Sequence, residues 1–535
     1  MWMLIKEKVK KIISHELFIL GLILFLALIL RLINLGAEPY WGDEVLSLDI
    51  VRHYHNNLAE MIRYIREIEI HPPLYYILLN FWSAWFGFSE LAIRSLSLVF
   101  GLATVWLVYY TGKKFYPATK FGLVAAFLTA ILPLQIEYSQ EARPYVIICF
   151  FGLLNIFGLW QFLETKNKKY LAIFIVSAVI GIYLHYSFAL ALAGTFSWWL
   201  LNLFRKNKSR EIIYWLSSIF IVFLSFYYWF TAFLYKIILS KVELYGLFRT
   251  GTSLRSFDFF ERTVYNLLWL TKEKIISPPE IFTVGLFKVI FVGLLFVWLY
   301  RHKDNIKELI AKGGGKIFYF LWLIIIPLIL FLFSPQSYPY APIIEKHIIT
   351  ASLALIFIIS ALIINLKPKE KLLILILFCL SVVNFDVRII GDDSIWDPLH
   401  RDKIAADYIN ESYRIGDLVT IYYGCGRTDF NHFLKPEISA VSFYPIFPLA
   451  WQDDYLASRE TLGFMENESQ LRVKTPTEQE FNLKMDYLLK KYKPKRIWLY
   501  GDDKLSNEWL RAHNWRYAIK SSGHLFPVDL YDVKN

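Results

Sequence analysis

The chain has 535 residues and a formal net charge of +11, with 56% hydrophobic and only 19% charged residues. Soluble globular proteins carry about 45–50% apolar and about 25% charged residues, so composition excludes a fully soluble protein and also a disordered one. Three cysteines exclude a disulfide-stabilised scaffold, and we expect no nucleic-acid partner because no soluble element carries a basic stripe.

The apolar stretches predict about 11 membrane-spanning helices. Residues 17–36 follow the basic run KEKVKK and have the roughly 20 apolar residues that cross a ~30 Å hydrocarbon core. No small-residue cleavage site precedes Glu38, so we expect an uncleaved anchor. The predicted spans are 17–36, 89–112, 119–136, 144–163, 170–185, 188–204, 212–235, 282–300, 317–334, 347–365 and 372–389.

The orientation depends on the apolar segment LYYILLNFWSAWF, residues 74–86. It is short for a span, and segments of about this length are often re-entrant or interfacial. If it does not cross, every later basic loop joins the N-terminus inside, as the positive-inside rule requires. We therefore expect a cytoplasmic N-terminus, surface juxtamembrane helices and an extracytoplasmic C-terminus. The long outer loop 236–281 is expected to lie on the membrane surface.

Beyond about residue 390 the pattern changes to alternating helices and short apolar strands. The predicted elements are helices at Arg401–Ser412, Glu478–Tyr492 and Asp503–His513 and strands at Leu418–Tyr423 and Arg496–Tyr500. Such alternation is typical of an α/β domain. The predicted fold is therefore an all-α polytopic membrane domain over 1–389 with a small extracytoplasmic α/β domain over 390–535.

Two adjacent carboxylates, Asp43 and Glu44, follow the first span in the sequence PYWGDE. A carboxylate at the membrane surface can act as a general base or bind a cation. The structural alternative is a helix start, with Asp43 as the N-cap and Glu44 favoured by the helix dipole. The two interpretations are compatible, because a cap can also hold a base in place.

A second cluster is His71-Pro72-Pro73-Leu74, where the prolines predict a helix that begins after them. This brings His71 to the outer membrane boundary. A histidine on its own is structural more often than functional.

A third cluster is the loop from Glu137 to Tyr145, EYSQEARPY. Acidic and basic residues at a membrane boundary are costly unless they pair or bind a ligand. Either Glu141 and Arg143 are interfacial anchors, or Arg143 receives an anionic headgroup opposite a carboxylate. Arg31 lies inside a predicted span, and we expect it to extend its side chain to the membrane surface.

The fourth cluster, Lys346 and His347, begins a late span and is either a snorkelling anchor or a cation for a phosphate. Under the predicted topology all four clusters lie on the outer side. An ion- or proton-coupled transporter usually needs acidic or paired groups near the membrane midplane. Ionisable groups at the outer mouth instead favour chemistry on a lipid-linked substrate.

These residues resemble the GT-C superfamily of integral membrane glycosyltransferases, in the branch of protein O-mannosyltransferases and lipid A aminoarabinose transferases. Asp43-Glu44 matches the Asp-Glu pair of the first outer loop in that branch. His71 to Leu74 matches its His-Pro-Pro-Leu segment, and Tyr138 to Tyr145 matches its Tyr-Ser-Gln-Glu-Ala-Arg-Pro-Tyr loop. The likeness spans about residues 17–365. Lys346-His347 departs from the Arg-Tyr of many relatives.

The resemblance implies an inverting transfer of a sugar from a polyprenyl-phosphate donor to a hydroxyl of a glycan, lipid or protein. It implies Asp43 as the general base, with Glu44 beside it, and Arg143 with Lys346 or His347 as cations for the leaving phosphate. The implied substrate-binding residues are Tyr40, His71, Glu137, Glu141, Arg143, Tyr145, Lys346 and His347.

No cofactor and no metal ligand are assigned. The adjacent carboxylates Asp43 and Glu44 have the chemistry to hold Mg²⁺ or Mn²⁺, although the related family does not need a metal to explain its reaction. The alternative functions are a membrane transporter or lipid flippase, and a membrane scaffold whose outer domain binds a partner.

Overall fold

The computed structural model describes residues 2–239, except 38–39, 41, 68, 70, 118–119 and 206–210. Farther along the chain it describes residues 314–332, 349–364, 368–369, 398–421, 434–435, 438, 440–442, 489–500, 516–520 and 528–532. The predicted spans 282–300 and 372–389, the loop 240–281 and the predicted helix Asp503–His513 lie outside the described residues.

Helices dominate the described part of the chain up to residue 364. They are α1 (Trp2–Leu32), α2 (Gly42–His53), α3 (Leu58–Glu67), α4 (Leu74–Phe86), α5 (Glu90–Phe115), α6 (Phe121–Ile131), α7 (Pro133–Glu137), α8 (Tyr145–Thr165), α9 (Lys168–Leu184), α10 (Phe188–Arg205), α11 (Ile212–Leu239), α12 (Gly314–Leu332) and α13 (Ile349–Ile364). Each predicted span within the described residues coincides with one of these helices, except that 119–136 is divided between α6 and α7.

Four segments of the described helices are long and apolar enough to cross a membrane. They are His15–Leu32, Glu90–Phe115, Tyr145–Thr165 and Ile212–Leu234. Shorter apolar helices lie at Phe121–Ile131, Phe188–Phe204, Gly315–Pro327 and Ile349–Ala361. The total of about 11 spans and the orientation of the termini stay predictions.

The chain divides into two compact units. The first comprises Met1–Gly36, Tyr54–Leu234 and Leu247–Asp392, and the second comprises Ala37–His53, Tyr235–Gly246 and Asp393–Asn535. The segment with Asp43 and Glu44 therefore belongs to the second unit, whereas the clusters around His71 and Arg143 belong to the first. The predicted domains 1–389 and 390–535 remain a prediction.

In the first unit, glycines allow α5 and α6 to pack at backbone distance. A Cβ atom on Gly122 would lie 2.6 Å from the carbonyl oxygen of Tyr109, and one on Gly112 would lie 2.8 Å from the Cα of Gly122. Real Cβ contacts are not this short, because the atoms would overlap. Both positions thus need a residue without a side chain.

Pro133 divides the predicted span 119–136 into α6 and α7. Leu132 between them has an extended backbone, with φ −70° and ψ 120°. A proline cannot donate its backbone nitrogen to the carbonyl four residues earlier, so the Thr129 carbonyl has no donor within the helix.

Arg31 supplies hydrogen bonds at this break. Its guanidinium donates to the carbonyl oxygens of Ala130 at 2.8 Å and Thr129 at 3.3 Å, and to the Ser139 hydroxyl at 3.1 Å. The side chain is 0% exposed. The prediction that Arg31 extends to the membrane surface is therefore wrong. Hydrogen bonds to the carbonyls of Thr129 and Ala130, at the break that Pro133 causes, hold its side chain inside the protein.

The helix predicted after Pro72 and Pro73 is confirmed. It is α4, which starts at Leu74 and has 13 residues, giving a length of roughly 20 Å at 1.5 Å per residue. That is shorter than a ~30 Å hydrocarbon core, in agreement with the prediction that this segment does not cross.

In the second unit the described residues include helix α14 (Pro398–Ser412) and five strands. The strands are β1 (Leu418–Ile421), β2 (Ala440–Ser442), β3 (Arg496–Tyr500), β4 (Arg516–Lys520) and β5 (Val528–Asp532). They form one sheet in the order β2-β1-β3-β5-β4, parallel from β2 to β3 and antiparallel at β5 and β4. The predicted helix Arg401–Ser412 is confirmed as α14, and the strands predicted at Leu418–Tyr423 and Arg496–Tyr500 are confirmed as β1 and β3. The α/β assignment of the whole region stays a prediction.

One face of α14 packs on the sheet through buried apolar side chains. Ala405, Ala406 and Ile409 share a core with Val419 of β1 and Trp498 of β3. The spacing of the three helix residues puts them on one helical face, as expected for a helix that covers a sheet.

Candidate functional site

The Glu69 carboxylate forms a hydrogen bond with the His71 imidazole in the segment between α3 and α4. Oε1 of Glu69 lies 2.6 Å from Nδ1 of His71 and also accepts the His71 backbone N–H at 3.1 Å. The Glu69 side chain is 8% exposed and that of His71 is 22% exposed. Since an ionised carboxylate can only accept, Nδ1 is the ring nitrogen that carries a proton toward Glu69.

Burial of Glu69 raises the pKa of its carboxyl, but other groups more than compensate. The hydrogen bonds from His71 and the charges of His71 and Arg143 lower that pKa, and the net result lies below the ordinary value. Glu69 is therefore ionised at neutral pH. The influence of Arg143 shows that the His71 and Arg143 clusters share one electrostatic environment.

Aromatic contacts connect the same two clusters. The ring centroids of His71 and His185 are 5.2 Å apart, and those of His185 and Tyr145 are 5.6 Å apart. The Arg143 guanidinium lies 5.9 Å from the centre of the Tyr145 ring. The structure thus brings three predicted site residues, His71, Arg143 and Tyr145, into one cluster of the first unit.

The loop that carries Arg143 is tied to two helices. Gln140 donates its side-chain amide to the Ile33 carbonyl at 2.6 Å, beyond the end of α1. The Ser97 hydroxyl of α5 donates to the Arg143 carbonyl at 3.5 Å. The Arg143 residue is only 3% exposed, so it is not an exposed interfacial anchor.

His185 and Tyr186, at the C-terminal end of α9, belong to this cluster and were not predicted. Nδ1 of His185 accepts the backbone N–H of Ser187 at 3.1 Å, which leaves the proton of a neutral ring on Nε2. Burial raises the pKa of the Tyr186 hydroxyl, and the negative charge of Glu69 raises it further. The sequence feature that could have identified His185 is its position at the end of the predicted span 170–185.

Asp43 and Glu44 lie in the first turn of α2, in the second unit. The helix begins at Gly42, so Asp43 is inside it and the predicted N-cap role is wrong, while the favourable position for the helix dipole holds for both carboxylates. Glu44 and Tyr40 are each 1% exposed, and Asp43 is partly exposed. The Ser47 hydroxyl donates to the Asp43 carbonyl at 3.0 Å. Their catalytic and binding roles stay predictions.

The remaining predicted residues are placed as follows. Glu137 ends α7, and Glu141 lies in the loop that follows; both are partly exposed. Lys346 and His347 lie outside the described residues. Within the described part of the chain, no three His, Cys, Asp or Glu side chains come together as a metal site.

Comparison with known proteins finds a family that matches part of the chain and solved structures with a similar fold. Residues 70–229 match the family described as dolichyl-phosphate-mannose-protein mannosyltransferase. No curated protein sequence matches the chain. The crystal structure of ArnT from Cupriavidus metallidurans in the apo state is similar, with a TM-score of 0.58 and 10% sequence identity over 96% of this chain and 97% of that one. The structure of the same protein bound to undecaprenyl phosphate has a TM-score of 0.56 and 11% identity, with the same coverage.

The predicted resemblance to GT-C glycosyltransferases is thereby confirmed. The matched segment includes the His71 cluster and the loop from Glu137 to Tyr145, and the similarity of fold extends over nearly the whole chain. The chain is thus similar to a mannosyltransferase family over residues 70–229 and to ArnT in its fold.

Proposed function

We propose that this chain transfers a sugar from a polyprenyl-phosphate carrier to a hydroxyl of a glycan, lipid or protein, with inversion, at the outer face of the membrane. The observation that carries the proposal is the buried Arg143, in one cluster with His71 and Tyr145, inside the segment that matches the mannosyltransferase family. A fold shared with a protein that binds undecaprenyl phosphate agrees with a donor of this class.

Arg143 is the proposed cation for the departing phosphate. A guanidinium offers two parallel donors to a phosphate and keeps its charge at every physiological pH. Its low exposure, 3%, places that charge where water screens it weakly. As the bond from the anomeric carbon to the phosphate breaks, negative charge grows on the phosphate and this contact strengthens. Lys346 or His347 is proposed as a second cation.

Asp43 is the proposed general base, on the strength of its match to the family's Asp-Glu pair. An acceptor hydroxyl is a weak nucleophile at neutral pH, and a positioned carboxylate can take its proton as it attacks the anomeric carbon. Glu44 and Glu141 are proposed to orient the acceptor or the neighbouring cations. The sugar, by analogy with glycoside hydrolysis, passes through a state with positive charge at its ring.

The lipid bilayer also helps to position the polyprenyl donor. We propose that the polyprenyl tail lies between spans, so that the protein orients only the headgroup. A cytoplasmic N-terminus and an extracytoplasmic C-terminal region complete this topology, as the positive-inside pattern predicts.

The test is donor turnover by the full chain in lipid nanodiscs. Undecaprenyl-phosphate sugars and a cell-envelope fraction as acceptor are supplied, and release of undecaprenyl phosphate is measured. We expect Arg143→Gln to slow release about 10²–10³-fold, because a buried stabilising charge is lost. Arg63→Gln is the matched control, since Arg63 is 74% exposed on α3. Turnover by Arg143→Gln at the rate of the unmodified chain would refute the proposal.

A further inference from the structure

Glu69 is a buried, ionised carboxylate to which the proposed reaction gives no task. We propose that Glu69 is a positioning residue, which holds the His71 imidazole by Nδ1 so that Nε2 meets the phosphate of the polyprenyl donor. The inference rests on the proposed function and adds to it a specific carboxylate–imidazole pair for binding the headgroup.

The geometry fixes the imidazole from two sides. One oxygen of Glu69 accepts both the backbone N–H of His71, at 3.1 Å, and its ring Nδ1, at 2.6 Å. The two prolines that follow restrict the backbone immediately after His71. With Nδ1 engaged, Nε2 is the ring nitrogen through which His71 can meet a ligand. The imidazole is also more exposed than the carboxylate behind it, 22% against 8%.

Charge supports the same arrangement. The proposed contact needs an imidazolium, which donates from one nitrogen to Glu69 and from the other to the phosphate. Arg143 acts on Glu69 electrostatically. The charge of Glu69 in turn raises the pKa values of the Tyr64 and Tyr186 hydroxyls, and His185 contacts the His71 ring. Arg143 already serves the phosphate in the proposed reaction.

A purely structural Glu69 would behave differently from a positioning one. If the carboxylate served only to hold the turn before α4, a glutamine could accept the same two hydrogen bonds, and phosphate binding would keep its pH dependence. If it acts through His71, removing its charge must change how binding responds to pH, even where the fold is intact.

The experiment measures binding of undecaprenyl phosphate to the full chain in nanodiscs from about pH 5 to about pH 9. For Glu69→Gln we expect unchanged affinity at the acidic end, about tenfold weaker binding above neutrality, and a midpoint moved about one pH unit lower. Glu67→Gln is the matched control, because Glu67 is 54% exposed at the end of α3. Glu69→Gln combined with His71→Gln should bind no more weakly than His71→Gln alone, as for two residues that act through one contact.

A second measurement needs no change at Glu69. Histidine ¹⁵N signals of the unmodified chain, assigned with His71→Gln, are recorded as undecaprenyl phosphate is added. We expect a protonated Nδ1 and a ligand-dependent shift at Nε2 of His71. An unmoved His71 signal with bound ligand overturns the inference, as does an unchanged pH profile in Glu69→Gln.

The two proposals fail in different ways. If the ¹⁵N shifts and the altered pH profile occur but no sugar is ever transferred, the role of Glu69 stands and the proposed function fails. If sugar is transferred and the pH profile of Glu69→Gln matches that of the unmodified chain, the proposed function stands and the role of Glu69 is refuted.

Discussion

Glu69 and Asp49 differ in the protonation state that their surroundings favour. Glu69 keeps its charge because His71 donates to it and Arg143 lies near. For Asp49 of α2, burial raises the pKa to about 7, and Arg52 offsets only part of that rise. One environment therefore favours the ionised form and the other favours the protonated form, as expected when desolvation competes with hydrogen bonds and charge partners.

The raised pKa of Asp49 predicts a pH-dependent stability. Between about pH 4 and about pH 7 the folded chain keeps a proton that the unfolded chain has lost, so this carboxyl lowers stability progressively as pH rises through that window. Above about pH 7 the loss of stability that Asp49 causes no longer changes with pH. We expect Asp49→Asn to raise Tm, and to raise it more near pH 8 than near pH 5, by scanning fluorimetry in detergent. Asp407→Asn, at an exposed position of α14, is the control. An equal change at both pH values contradicts the assignment.

Individual site residues could be predicted where a local motif marks them. The His-Pro-Pro-Leu segment and the loop from Glu137 to Tyr145 directed attention to His71, Arg143 and Tyr145, which the structure places in one cluster. Glu69 and His185 lie in no such motif. Their part in the cluster depends on side-chain contacts between segments distant in the sequence, and hydrophobic patterns carry no information on those contacts.

At the scale of elements, length and apolarity predicted the helices well, because a bilayer-sized apolar run has few other structures available. The break between α6 and α7 was missed, since a proline within an apolar stretch is tolerated in membrane helices when another group satisfies the freed carbonyls. Arg31 does so here. In the second unit β2, β4 and β5 were missed. The sequences AVS, RYAIK and VDLYD lack the continuous apolar run that marked β1 and β3.

The close packing of α5 and α6 leads to a prediction for Gly122. In Gly122→Ala the added Cβ would lie 2.6 Å from the Tyr109 carbonyl and 3.0 Å from the Lys113 nitrogen. Backbone atoms cannot move away from the added methyl group as the end of a flexible side chain can. We therefore expect the free energy of unfolding to fall by about 1–3 kcal/mol and the yield of folded protein to be lower. Gly21→Ala is the control: nothing lies within 4 Å of a Cβ there, and alanine favours a helix by about 1 kcal/mol. Equal thermal stability of the two variants would contradict the packing argument.

At the scale of the whole molecule, the family resemblance rested on ordered motifs and was confirmed by a match over residues 70–229 and by a fold similar to that of ArnT. The proposed base, Asp43, belongs to the second unit, and the proposed phosphate ligand, Arg143, belongs to the first. The sequence predicted which residue types such a reaction needs. It could not predict the division of the chain into units, because the segment Ala37–His53 groups with residues far along the chain.

The central claim is a covalent transfer, and mass spectrometry of surface lipids, glycans and proteins tests it most directly. Cells with the unmodified chain, with Asp43→Asn and with the gene deleted are compared, and folded protein is quantified in each membrane fraction. Loss of the base should slow transfer by about 10²–10⁴-fold. We expect a surface molecule that is heavier by one sugar residue with the unmodified chain and lacks that increment in the other two. Identical surface molecules in all three cell types would contradict the account.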